Sequence, residues 1–198
     1  MYEKTWGVNR IHPKWFNLLK AVKSKELTTS HCLIQVQQTC IIAMDGCQAL
    51  KIDRDVDWDI KAGFYLLSSD HFLIPAVKSG LTLDNCDAIF ELKEQDKTAT
   101  IKFGIGQPLV AIAQAIQAFN CIVNIDMFRK SLQALEDLQP DFARIYGFKD
   151  KELAAKKPLL MEFSIQNVTV KYAVMPFNPT EELLTIDDMP LFKTKKAS

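Results

Sequence analysis

Cys40-Ile41-Ile42-Ala43-Met44-Asp45-Gly46-Cys47-Gln48-Ala49-Leu50-Lys51-Ile52 is the stretch on which the fold turns. It opens as an apolar run suited to a buried strand, breaks at Asp45-Gly46, and resumes with apolar Ala49, Leu50 and Ile52. Glycine takes positive φ without steric cost, and aspartate hydrogen-bonds the local backbone. Two apolar runs about such a corner predict a strand, a tight exposed turn and a return strand. Taken alone, this is an ordinary hairpin.

The surrounding chain of 198 residues is long enough for one or two domains with real cores. Its 48% apolar and 24% charged residues are those of a soluble globular protein. No apolar run reaches membrane-spanning length, and Met1-Tyr2-Glu3-Lys4 does not open a signal peptide. Five cysteines without a CxxC pair suggest free, mostly buried thiols and a cytoplasmic protein. The histidines (His12, His31, His71) are scattered, so no metal site and no cofactor site is spelled out. With 24 basic and 24 acidic side chains the net charge is zero. That argues against a protein coating nucleic acid over its whole surface, but permits positive charge gathered on one face.

Working outward from the corner, Pro13 suits the first turn of a helix in which Trp15, Leu18, Leu19 and Val22 share a face, with Lys20 and Lys23 outside it. Cys32 to Gln38 alternates like a strand. Beyond Ile52, Phe64 to Leu67 reads as a strand. Ser68, Ser69 and Asp70 offer caps to a short helix from His71 to Lys78, closed by Gly80, although Pro75 sits awkwardly within it. Ala88 to Leu92 and Thr98 to Phe103 read as a hairpin. Ala-rich Leu109 to Ile116 suits strand or helix, and repetition of the unit described below favours strand. Cys121 to Ile125 reads as a strand. Asp126 caps a helix from Met127 to Leu138 that buries Phe128, Leu132 and Leu135 and leaves Arg129, Lys130 and Gln133 outside. Strands follow at Phe142 to Tyr146, Leu159 to Ile165 and Val168 to Met175, and residues 179–198 form a polar tail around Met189-Pro190-Leu191-Phe192.

One unit thus appears three times, starting near Arg10, Gly63 and Cys121: strand, helix, then about three strands. Each unit buries one helix face on a sheet and leaves the other for solvent or a partner. The cations on two of the helices suit an anionic partner.

At three places the chain resembles the DNA sliding clamps, the ring-shaped processivity factors of DNA polymerases, and specifically the bacterial β type. Ala43-Met44-Asp45-Gly46-Cys47-Gln48-Ala49-Leu50 resembles that family's Ala-Thr-Asp-Gly-His-Arg-Leu. Tyr172-Ala173-Val174-Met175-Pro176-Phe177 resembles its terminal Tyr-Val-Val-Met-Pro-Met. Asn124-Ile125-Asp126-Met127-Phe128 resembles the start of its last helix. The likeness covers roughly residues 9–178. The family's His-Arg pair is replaced by Cys47-Gln48, which removes a positive charge.

The resemblance implies an α+β sliding-clamp fold, with repeated β-α-β-β-β half-units and helices on one face of curved antiparallel sheets. Residues 1–120 would be a clamp domain of two half-units, 121–178 a half-domain, and 179–198 a flexible tail. It implies a non-catalytic accessory subunit of DNA polymerase that encircles duplex DNA as a homo-oligomeric ring. Twelve half-units per family ring and three per chain would give a tetramer. Lys20, Lys23, Arg129 and Lys130, then Lys14 and Lys78, would face the phosphates without reading sequence. A hydrophobic pocket for peptides of the polymerase and clamp loader would involve Met44, Gly46, Cys47, Gln48, Ala49, Ala173, Met175, Pro176 and Phe177. Asp188, Met189, Leu191 and Phe192 partly resemble the peptides that such pockets bind. The tail could fill its own pocket or a neighbour's, or dock the chain on another clamp as an adaptor that never encircles DNA. Asp45/Cys47 and Asp70/His71 have no spacing that supports an enzyme. A compact clamp of this kind suits a phage or mobile element.

Overall fold

The computed structural model describes residues 10–23, 33–53, 60–68, 70–76, 89–91, 95–104 and 107–177. Pro13 opens helix α1 (Pro13–Val22), where its missing N–H is no loss, and the His12 ring nitrogen Nδ1 accepts from the Lys14 N–H. Phe16, Leu18, Leu19 and Val22 are its buried residues, while Trp15 is half-buried at the edge of the same core. Strands β1 (Ile34–Val36), β2 (Cys40–Met44) and β3 (Gln48–Asp53) follow as an antiparallel meander. The hairpin expected from the sequence is β2–β3, with Met44 opposite Ala49 and Gly46 at φ 93°. β1 is buried on both faces, Gln35 included, so the alternation expected there is not seen.

The middle of the chain departs from expectation. The helix expected over His71 to Lys78 is, in its described part, an edge strand. β4 (Gly63–Leu67) and β5 (Leu73–Pro75) form a hairpin in which the Ser68 hydroxyl accepts from the Asp70 and Phe72 N–H groups and His71 takes φ 65°. Pro75 fits there because an edge strand can spare an N–H. Ile89 and Phe90 form a 3₁₀ turn, so the expected hairpin with the next strand does not form; β6 (Lys97–Lys102) pairs with β7 (Phe142–Gly147) instead. Leu109 to Ile116 lies inside helix α2 (Pro108–Ala118). Pro108 starts it, alanines favour it, and Ile112 and Ile116 bury one face at i, i+4 spacing.

The expected strand over Cys121 to Ile125 is an irregular connection into α3 (Ile125–Glu136), and the cap is Asn124 rather than Asp126. The Asn124 side-chain oxygen accepts from the Asp126 N–H at 3.1 Å. After β7, the loop expected over 147–157 contains a short helix α4 (Lys151–Lys156), capped by Asp150. β8 (Leu159–Ile165) and β9 (Val168–Val174) complete the chain's regular structure among the described residues.

All nine strands form one antiparallel sheet, in the order β5-β4-β1-β2-β3-β9-β8-β7-β6. The pairing of β3 with β9 joins the first meander to the last described strand, with Gln48 opposite Val174 and Ala49 opposite Ala173. Leu50, Ile52, Phe163, Val170, Tyr172 and Val174 point to the face covered by α1, α2 and α3, and α1 lies against α3. The opposite face carries a second small cluster, in which Phe90 sits on Ala49, Leu160 and Ala173. Two copies of the expected unit are therefore present as a helix followed by three strands: α1-β1-β2-β3 and α3-β7-β8-β9. Between them, the described elements run β4, β5, β6, α2.

Close packing where α2 ends gives a direct test. A Cβ added at Gly147 would lie 2.5 Å from Cδ2 of the buried Phe119 ring. Gly147→Ala is expected to destabilise the protein by about 1–3 kcal/mol through overpacking, read as a lowered urea midpoint.

Candidate functional site

Asp45 shapes the corner at the end of the β2–β3 hairpin. Its Oδ1 accepts from the N–H groups of Cys47 (2.9 Å) and Gln48 (2.8 Å), fixing the turn around Gly46. The Met175 N–H donates to the Cys47 carbonyl at 2.7 Å, which ties the corner to the end of β9. An open pocket of about 440 Å³ lies here. Seven of the nine residues expected from the sequence line it: Met44, Gly46, Cys47, Gln48, Ala49, Ala173 and Met175. Pro176 and Phe177 do not line it. The chain turns away after Met175, and the Phe177 N–H donates to the Ile122 carbonyl.

The remaining wall comes from residues the sequence reading did not include: Ile89, Glu91, Gln95, Phe148, Lys157 and Pro158. The segment around Ile89-Phe90 lies on the face of the sheet away from the helices, anchored by Phe90. The turn at Ile89-Phe90, in place of the expected strand, brings Ile89 and Glu91 there, whereas Phe148 follows β7 and Lys157 and Pro158 precede β8. Gln95 brings a carbonyl oxygen that is buried without a hydrogen-bond partner.

Gln48 is the second departure. Its side chain leaves the pocket and runs between sheet and helices. The amide nitrogen donates to Asp45 Oδ2 (2.9 Å) and to the Ala21 carbonyl in α1 (3.3 Å). The amide oxygen accepts from Ser131 Oγ in α3 (2.8 Å) and from the Tyr172 hydroxyl in β9 (2.7 Å). Four partners from four elements use the full capacity of one amide. The residue standing where the resemblance expects a pocket cation is thus a buried tie between the corner and both helices.

Of the expected cations, Lys14 and Lys20 are exposed on α1, Lys23 is half-buried just after it, and Arg129 and Lys130 are exposed on α3. They lie on the helix side of the sheet. Arg129 is 3.9 Å from Asp126, a surface contact of little energetic weight. The exposed face of α2 (Val110, Ala113, Gln114, Gln117) carries no charge. Lys78 and the tail residues Asp188, Met189, Leu191 and Phe192 lie outside the described residues. No cluster of potential metal ligands occurs among the described residues, and none of the described helices is long and apolar enough to cross a membrane.

No protein-family model matches the chain, and neither does any curated protein. Among solved structures, the beta chain of DNA polymerase III from Streptococcus pneumoniae TIGR4 is similar, with a TM-score of 0.54 and 9% identity over 84% of this chain and 62% of that one. The beta subunit from the DNA polymerase of Streptococcus pyogenes gives 0.53 and 9% over 90% and 69%. The fold is that of a sliding clamp. This chain spans less than two thirds of the first of those chains.

Within the clamp fold, two buried groups near the helix layer titrate abnormally. Burial pushes the Cys121 thiol, between α2 and α3, up to about 11 from 9.0. Burial also raises the Tyr172 hydroxyl, with the Ser131 hydrogen bond opposing and Asp45 adding to the rise. In both cases the folded state keeps a proton that the unfolded chain releases first. Their contribution is intact below pH 9 and is lost as pH climbs from 9 toward 11 and beyond. Urea midpoints measured across this range should fall, and Cys121→Ala should move the onset of the fall upward, to where Tyr172 alone acts.

Proposed function

We propose that the chain is a DNA sliding clamp, a non-catalytic processivity factor that encircles duplex DNA as a homo-oligomeric ring and tethers a polymerase or other replication protein through the pocket at the Asp45-Gly46 corner. The β3–β9 pairing carries this reading. It brings Gly46 of the corner and Met175 at the end of β9 into one pocket, and the α1–α3 pair, with Lys14, Lys20, Arg129 and Lys130 exposed, lies on the helix side of the sheet. Mobile cations facing phosphates attract DNA without reading its sequence, which suits a protein that must slide. Among the described residues, β5 and β6 are the sheet's two edge strands, and joining one copy's β6 to the next copy's β5 would close the ring. The division into a clamp domain over residues 1–120, a half-domain over 121–178 and a tail over 179–198 is part of this reading. The setting is the cytoplasm.

A second reading has its own support. The exposed face of α2, packed over β6 and β7, carries none of the cations found on α1 and α3. This suits an adaptor of clamp fold that docks on another clamp through its 188–192 segment without encircling DNA. Loading on nicked circular duplex separates the two. A ring is retained on the circle and lost when the circle is cut, whereas an adaptor shows no dependence on circularity. Mass measurement in solution then gives the subunit number.

A further inference from the structure

We propose that the pocket at the Asp45-Gly46 corner is filled by this chain's own segment Asp187-Asp188-Met189-Pro190-Leu191-Phe192, acting in cis as a built-in competitor of any partner peptide; the inference rests on the pocket reading above. Three observations support it. First, the chain leaves β9 at the pocket itself: Met175 lines the pocket and is hydrogen-bonded to Cys47. Residue 187 lies ten positions beyond Phe177, a reach of up to about 34 Å when extended. Second, the chemistry matches. The pocket presents the apolar side chains of Met44, Ile89 and Met175, with Lys157 and Glu91 in its wall. The segment offers Met189, Leu191 and Phe192 to those apolar side chains. Third, Met175 is 41% exposed, and an extended peptide supplies an apolar cover for it.

Tethering makes the contact effective even when the free peptide binds weakly. A short flexible linker holds its peptide at an effective concentration on the order of 1 mM. Against a free-peptide Kd of about 0.1 mM, this would weaken an outside competitor roughly tenfold. The partner of such a clamp must therefore outcompete the tail.

The probe is a fluorescein-labelled peptide of residues 185–195, titrated by anisotropy into the full-length native chain and into the full-length Leu191→Ser/Phe192→Ser variant. Both substitutions lie outside the described core. The variant is expected to bind the probe about tenfold more tightly than the native chain. Methyl NOEs should link Met189 to Met44 or Met175 in the native chain and vanish in the variant. Equal affinities with no such NOE would overturn tail docking while leaving the pocket reading intact. Failure of both proteins to bind the probe would overturn the pocket for this peptide, and tail docking with it. A difference that disappears on dilution would assign the contact to a second copy and overturn docking in cis.

Discussion

Replacing Gln48 with leucine should cost about 3 kcal/mol of stability, although leucine is apolar, of similar size, and placed beside a hydrophobic core. The loss comes from what is left behind. Ser131 Oγ and the Tyr172 hydroxyl both donate to the Gln48 amide oxygen, and both residues are buried. Each hydroxyl stranded there costs about 1–3 kcal/mol, more than the net worth of the hydrogen bond that was removed. Removing the stranded partners as well should restore most of the loss. Gln48→Leu/Ser131→Ala/Tyr172→Phe is expected to recover at least half of the lost stability, because an all-apolar replacement leaves nothing unsatisfied. Urea unfolding of the single and triple variants measures this, and strict additivity of the single effects would refute the network. The same variants should loosen the pocket, since Asp45 Oδ2 loses its bond from the Gln48 amide.

Reversing four charges on the helix side, with Lys14, Lys20, Arg129 and Lys130 all changed to glutamate, should separate attraction from encirclement. If each cation meets one phosphate, the slope of log affinity against log salt on linear duplex should become shallower by about 3.6. Between 50 and 200 mM salt, the native chain would then lose roughly a hundredfold more affinity than the variant. Protein already closed on a nicked circle should nevertheless stay there, because a topological link does not depend on those contacts. Loss of the circle-bound form together with the linear affinity would show that charge alone holds the protein to DNA. The four positions are exposed and make no core contacts, so stability should move little.

The amphipathic faces of α1 and α3 were legible because apolar residues recur at helical spacing and local sequence is enough to express that. The Asp45-Gly46 hairpin was legible because the turn chemistry is local too, and so were β8 and β9 as long apolar strands. The errors cluster between Ser68 and Ile125. His71 to Lys78 carries the capping residues of a helix, but Ser68 spends its hydroxyl on a turn and Pro75 is tolerated at a sheet edge. Leu109 to Ile116 is ambiguous by composition; a regular repeat favours a strand, but Pro108 starts a helix that buries Ile112 and Ile116. Ala88 to Leu92 reads as a strand until Phe90 finds a cluster on the far face of the sheet.

The sequence by itself determined two helix-and-three-strand units and the turn at Asp45-Gly46, because each follows from local spacing or from a short motif, while the seven pocket residues follow from the family resemblance. Only the tertiary structure decided that β3 pairs with β9, that Ile89, Glu91 and Gln95 wall the pocket, and that Gln48 faces inward. These depend on contacts between residues as far as 124 positions apart. Such contacts are chosen by which polar groups can be satisfied and which apolar faces can be covered once the whole chain is packed, and no local pattern encodes that choice.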